Sequence, residues 1–202
     1  LQYQGTTERV DVMERVRNFL NASADLKYKV AESLSGEILK AANMCLESIR
    51  QGGKLMLMGN GGSAADSQHI AAELTGRFKQ NRKALAALAL TVDTSSITAL
   101  GNDFGFETIF ARQIEALGRS GDVALGISTS GNSENVIRAL KLARTMGIQT
   151  IGFIGNEGGR MRDIVDIPLI VPSSDTARIQ EVHITIGHII CEIIEQELFG
   201  DE

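Results

Sequence analysis

From residue 54 onward the chain alternates short apolar runs with stretches of helical periodicity, and this alternation limits the fold more than any other feature. The apolar runs fall at residues 54–58, 85–91, 122–127, 149–153 and 167–171. Helical patterns fill the gaps at 63–75, about 106–117, 133–146 and, briefly, 159–164; a long one closes the chain at 176–198. Strands separated by helices of this length require crossover connections, hence a parallel sheet with right-handed βαβ units. The apolar volume of the chain is mostly Leu, Ile, Val and Ala; aromatic residues make up only 4% of the chain and tryptophan is absent. Aliphatic strands of this kind suit a sheet covered by helices on both faces. The expected class is therefore a doubly wound α/β fold, with a strand order that spacing alone does not determine.

The first fifty residues are different. Val10, Met13, Val16, Phe19 and Leu20 recur at three and four, as do Val30, Leu34, Ile38, Leu39, Ala42 and Leu46. This predicts two amino-terminal helices, divided by a break near residues 21–25 and stopped by Gly52-Gly53. They could cover one sheet face or form an oligomerisation surface. At 202 residues the chain reads as a single domain over 1–202, with a helical region at 8–50 and a sheet-and-helix core at 54–198. A formal net charge of −5 with scattered basic residues argues against a broad nucleic-acid surface. Cys45 and Cys191 form no CxxC or metal-like pattern and fit a reducing compartment. No apolar stretch reaches the length of a membrane span and no basic leader is present, so a cytoplasmic location is expected, without membrane contact. The opening Leu1-Gln2-Tyr3-Gln4-Gly5 lacks a start methionine, as a shortened or extended amino terminus would.

Two strand-to-helix loops have the composition of anion cradles. Gly59-Asn60-Gly61-Gly62-Ser63 opens a helix, and Ser63 with Asp66 reads as a capping box. Backbone N–H groups there can converge on an anion at the positive end of the helix. The loop matches neither the nucleotide-triphosphate pattern GxxxxGK[ST] nor the dinucleotide pattern GxGxxG. Ser128-Thr129-Ser130-Gly131-Asn132-Ser133 places four hydroxyls within six residues ahead of another helix, enough to hold a phosphate without a full positive charge. A cap and turn would need only one or two of them. Both loops should lie at the carboxyl edge of the sheet, where open α/β sheets bind ligands.

The titratable groups are few. His69 and Glu73 are four apart, on one face of the helix that follows the first loop. Such a pair is common on solvated helices, yet beside a sugar phosphate it could move a proton or hold a metal. Gln180, Glu181, His183 and His188 interrupt the aliphatic pattern of the last helix; His183 reads as structural, and His188 as either a core histidine or a catalytic group. Moving a proton between C1 and C2 of a ketose phosphate through an enediol(ate) needs groups that titrate near neutrality, and a carboxylate and an imidazole are the expected types. The sequence carries no redox-cofactor motif and no GxSxG nucleophile elbow.

Several segments, in this order, resemble bacterial phosphoheptose isomerases of the sugar isomerase (SIS) domain family: residues 59–66, 69–78, Gly101-Asn102-Asp103-Phe104-Gly105, 127–133 and 177–183. The resemblance implies a three-layer αβα sandwich with a five-stranded parallel, flavodoxin-like sheet plus amino-terminal helices. It implies conversion of sedoheptulose 7-phosphate to D-glycero-D-manno-heptose 7-phosphate by a homotetramer with active sites between subunits. By position, Glu73 and His188 match the catalytic pair. Ser63, Ser128, Thr129, Ser130 and Ser133 match phosphate binders, and Asn60, Gly61, Gly62, Glu73, Arg77, Asp93 and Gln180 match other substrate contacts. His69, Glu73, Gln180 and His188 match the ligands of one zinc per subunit. Gln180 and His188 are eight residues apart, about 12 Å of helix rise, so one coordination sphere requires their side chains to converge end to end or to come from different copies. Where some members have an aspartate before the Arg-Ile-Gln-Glu segment, this chain has Ala177, which puts one substrate contact in doubt. The same fold family includes a non-catalytic adaptor that binds a DNA-replication initiator, and isomerases of pentose or hexose phosphates; the histidine at 188 favours catalysis over the adaptor.

Overall fold

The computed structural model describes residues 5–200. Five strands, β1 (Leu55–Gly59), β2 (Ala87–Ala89), β3 (Val123–Ser128), β4 (Gln149–Ile154) and β5 (Ile167–Ile170), form one parallel sheet in the order β2-β1-β3-β4-β5. The helices are α1 (Gly5–Arg50), α2 (Gly62–Thr75), α3 (Thr94–Phe104), α4 (Ile109–Leu117), α5 (Glu134–Thr145) and α6 (Thr176–Phe199), with 3₁₀ turns at Phe106–Thr108 and Gly159–Met161.

Successive residues of a strand point to opposite faces, and each face has its own core. Leu55, Leu57, Leu125, Ile151, Phe153 and Leu169 pack beneath α1, α2 and α6. Met56, Met58, Ala124 and Ile154 pack against α3, α4 and α5. β1 and β3 are buried along their whole length, which is why their sequences show no polar alternation. The result is a three-layer αβα sandwich.

Two expectations are corrected. α1 is one continuous 46-residue helix, with no break at residues 21–25. The segment Asn21-Ala22-Ser23-Ala24-Asp25 contains neither proline nor glycine, and its polar residues each cost only a few tenths of a kcal/mol against alanine. Arg178 of α6 also donates to the Phe19 carbonyl at 2.8 Å, fixing α1 at that point. α3 is an addition to the expected helices, because Thr94-Ser95-Ser96-Ile97-Thr98 is poor in helix formers. Asp93 starts it by accepting the Ser96 N–H at 3.0 Å, and Ile97 and Leu100 pack onto the second core.

His183 is fully buried in α6 and donates from Nε2 to the Ile154 carbonyl at the end of β4, at 3.1 Å. Burial holds its pKa down to about 4, against the smaller opposing effect of that hydrogen bond; its Nδ1 is buried without a partner. The unfolded chain takes up a proton as pH falls through about 6.5, whereas the folded chain does not until about 4. Stability contributed by neutral His183 is therefore complete above about 6.5 and lost on acidification across that window, by about 3 kcal/mol in all. Urea denaturation between pH 7 and pH 4 should show a flatter pH dependence for His183→Gln than for wild type; equal slopes would assign the acid sensitivity to other groups.

Candidate functional site

β1 and β3 are neighbours, but the chain leaves them in opposite directions, from β1 to β2 on one side and from β3 to β4 and β5 on the other. This is the topological switch point of the sheet, where ligands of open α/β folds bind. The two glycine- and serine-rich loops emerge there and are tied together by their amides. Asn60 and Asn135 exchange two hydrogen bonds, Nδ2 to Oδ1, each of 2.9 Å. Asn135 is 3% exposed and also accepts the Val136 N–H.

In the first loop the capping box does not form. Gly61 occupies the N-cap of α2, and no side chain caps the helix. Ser63 is buried, with its backbone N–H on the Asn60 carbonyl at 3.0 Å. Asp66 keeps one buried carboxylate oxygen without a partner; burial raises its pKa, and nearby His69 partly offsets that.

The second loop gathers its hydroxyls. Ser128 Oγ lies 2.9 Å from Ser133 Oγ and 3.5 Å from Ser130 Oγ. Ser133 is the N-cap residue of α5, yet its hydroxyl makes no capping bond and turns to Ser128 instead. Capping thus does not account for Ser128 and Ser133, while Ser130 Oγ accepts the Asn132 N–H at 3.2 Å within the turn. The turn needs glycine at 131: φ is +66°, and a Cβ there would stand 2.1 Å from the Gly158 carbonyl oxygen. Thr129 contributes its carbonyl to Asn156 Nδ2 at 2.9 Å.

The titratable cluster forms where α6 crosses α2. His69 Nε2 is 3.0 Å from Glu73 Oε1 and 3.4 Å from His188 Nε2. The two imidazoles meet edge to face, with centroids 4.9 Å apart, and Phe78 packs on His188 at 5.7 Å. One ligand atom from each of His69, Glu73 and His188 lies within 4.8 Å of the others. Two imidazole nitrogens that close cannot both point protons at each other. Together the two nitrogens and the carboxylate oxygen make a donor set that could hold a metal ion.

The SIS domain family model matches residues 18–155. Phosphoheptose isomerases of Aquifex aeolicus and Akkermansia muciniphila are 54% and 51% identical over 185 and 187 residues, covering 92% and 93% of this chain and 97% and 98% of theirs. The solved phosphoheptose isomerase of Neisseria gonorrhoeae superposes with a TM-score of 0.87 at 45% identity, over 92% of this chain and 99% of that one.

The chain belongs to the phosphoheptose isomerase family of SIS-domain proteins. Against that family's pattern, the structure unites His69, Glu73 and His188, and separately Ser128, Ser130 and Ser133. Gln180 lies two turns before His188 and lays its amide against Gly62, beside the first loop. Arg77 is exposed just beyond α2 and, among the described residues, makes no hydrogen bond or ion pair. Asp93 caps α3, taking the Ser96 hydroxyl at 2.6 Å; these bonds lower its pKa. Beyond α3 it borders a cavity of about 550 Å³ with Leu88, Leu100 and Arg112. Asp175, near the variant Ala177, is occupied capping α6 through the Ala177 N–H at 2.9 Å. Asn135 is a site residue that sequence reasoning misses, because it reads as an ordinary polar residue in the first turn of a helix.

Asn135→Ala should leave the Asn60 amide unpaired, lower stability by about 1–3 kcal/mol in urea denaturation and raise the KM for a sugar phosphate. An unchanged denaturation midpoint would show that the two loops are held together by other contacts.

Proposed function

We propose that the chain interconverts sedoheptulose 7-phosphate and D-glycero-D-manno-heptose 7-phosphate through an enediol(ate), with Glu73 and His188 moving the protons. The isomerase identity of relatives more than 50% identical over nine-tenths of the chain supports the reaction. The observation that carries the mechanism is the pairing of an uncharged hydroxyl cradle with a titratable cluster at opposite ends of α2. Ser63 and Glu73 are ten residues apart on that helix, about 15 Å of rise. A linear sugar phosphate fills that span, with its phosphate at Ser63, Ser128, Ser130 and Ser133 and its C1–C2 end at Glu73.

Glu73 directs Oε1 to His69, leaving Oε2 to take the C1 proton and return it to C2. His188, on the facing helix, handles the proton at the neighbouring oxygen. Asn60, Gly61, Gly62, Thr129, Arg77 and Gln180 supply further contacts to the sugar. A zinc ion held by His69, Glu73 and His188, with Gln180 as the additional ligand the family pattern implies, would supply Lewis acidity toward the sugar oxygens when bound.

The active form is a homotetramer in this reading. The free stretch of α1 presents Val12, Met13, Val16, Phe19 and Leu20, each 47–66% exposed, at the spacing of a helix-packing stripe. Another copy of the chain is the natural cover for such a stripe. Among the described residues no helix is long and apolar enough to cross a membrane, and the buried free thiols of Cys45 and Cys191 fit the cytoplasm.

Purified protein supplied with sedoheptulose 7-phosphate should form the aldose phosphate faster than with pentose or hexose analogues. His188→Gln should lower turnover by about 10²–10⁴-fold while the protein stays folded. Ser130→Ala with Ser133→Ala should instead raise KM, each lost hydrogen bond to the charged phosphate costing about 1.5–3 kcal/mol. Unchanged kinetics in His188→Gln would remove His188 from proton transfer, and unchanged kinetics in the serine variant would remove both hydroxyls from the phosphate site. Light scattering should report four 21.7 kDa chains, and Phe19→Lys with Leu20→Lys should reduce that number; a fully active monomer would rule out a site shared between subunits.

A further inference from the structure

Just past Glu73 the chain turns through residues 76–83, and a single buried carboxylate holds that turn. Glu195, near the end of α6, accepts the backbone N–H groups of Phe78 (3.2 Å), Lys79 (2.8 Å) and Gln80 (2.9 Å). It also accepts Arg82 Nε–H at 3.0 Å, and the two side chains, Arg82 and Glu195, are 1% and 3% exposed. Arg82 also holds the last carbonyls of α2, Nη2 donating to Glu73 O and Nη1 to Leu74 O, both at 2.8 Å, while Nη1 donates to Lys83 O at 3.1 Å as well. Those carbonyls have no partner within the helix, and a guanidinium there also complements the helix dipole.

Burying a charged pair is costly unless its remaining donors and acceptors are satisfied, and four donors converge on this carboxylate. Burial alone would raise the pKa of Glu195; the hydrogen bonds of Lys79, Gln80, Phe78 and Arg82 outweigh it and hold the group below its usual range. The contacts of this pair reach both halves of the proton-transfer site. Arg82 grips the backbone of Glu73 itself. Glu195 grips the backbone of Phe78, whose ring packs on His188, and stands two turns beyond His188 on the same helix.

We propose that Arg82 and Glu195 are a positioning pair for the isomerisation, fixing the Glu73 carboxylate and the His188 imidazole relative to each other and to the C1–C2 end of the substrate. The proposal rests on the assignment of Glu73 and His188 as the proton-transfer pair. Neither Arg82 nor Glu195 touches the substrate. Their action is transmitted through the α2 terminus and Phe78, while the phosphate cradle, built on the β1 and β3 loops, lies outside their reach.

The test uses the full chain with sedoheptulose 7-phosphate and compares wild type, Glu195→Gln and Arg82→Lys, the latter keeping the charge but losing the fork that spans Glu195 and Glu73. Displacement of a reacting group by about 1 Å can cost about 10²-fold in rate, so kcat per folded molecule should fall by about 10- to 100-fold with little change in KM. In a Glu73→Gln background, where the positioned carboxylate is gone, adding Glu195→Gln should lower the residual turnover much less. The His188 imidazole signals in NMR spectra at fixed pH should also shift in Glu195→Gln. Wild-type kcat in both variants, equal fold-losses in the two backgrounds, or unmoved imidazole signals would overturn the proposal. Absence of isomerisation by wild type would defeat the functional assignment first, and the proposal with it.

Discussion

The close seating of α6 on α2 at Gly187 governs the chemistry of the site. A Cβ at that position would fall 2.5 Å from Ile70 Cδ1, so a larger residue would have to displace the Ile70 side chain or the helices. With glycine there, the next residue, His188, brings Nε2 to 3.4 Å from His69, and Glu73 joins one turn farther along α2. The same seam ends in the Arg82–Glu195 pair, which binds the last carbonyls of α2 to α6. Packing in the middle of the two helices and ionic hydrogen bonds at their end therefore act on the same three side chains.

The site divides its work between two kinds of polarity. In the proposed reading, the phosphate end is built of neutral hydroxyls and backbone groups at the sheet's switch point, suited to binding an anion while leaving it free to depart. The reaction end concentrates titratable groups on rigid helices. On that reading, separating the two would let the phosphate anchor the substrate without perturbing the groups that exchange protons, with the carbon chain along α2 between them.

Much of this is legible in the sequence because it is local. A strand buried on both faces must be an aliphatic run, so β1, β3, β4 and β5 announce themselves. The family segments locate His69, Glu73 and the serine loop, and the family match by position adds His188. What stays hidden depends on distant partners or on weak local signals. α3 follows from an aspartate cap and two apolar residues set among poor helix formers. The polar residues 21–25 suggest a break, yet α1 continues, held there by Arg178. Ser63 and Asp66 match a capping box in type and spacing, but Gly61 takes the cap and Ser63 turns inward. Asn135 meets Asn60 across 75 residues, and Glu195 meets Arg82 across 113; no periodicity records either pairing.

If Glu73 carries the carbon-bound proton as proposed, hydrogen exchange at C1 of the ketose reports that transfer. Followed by NMR in deuterated water, wild type should replace the C1 hydrogen of sedoheptulose 7-phosphate with deuterium as the aldose forms. Glu73→Gln, folded and still binding the phosphate, should lose both exchange and turnover by about 10²–10⁴-fold. Exchange at near-wild-type rates in Glu73→Gln would instead move the carbon base to another residue.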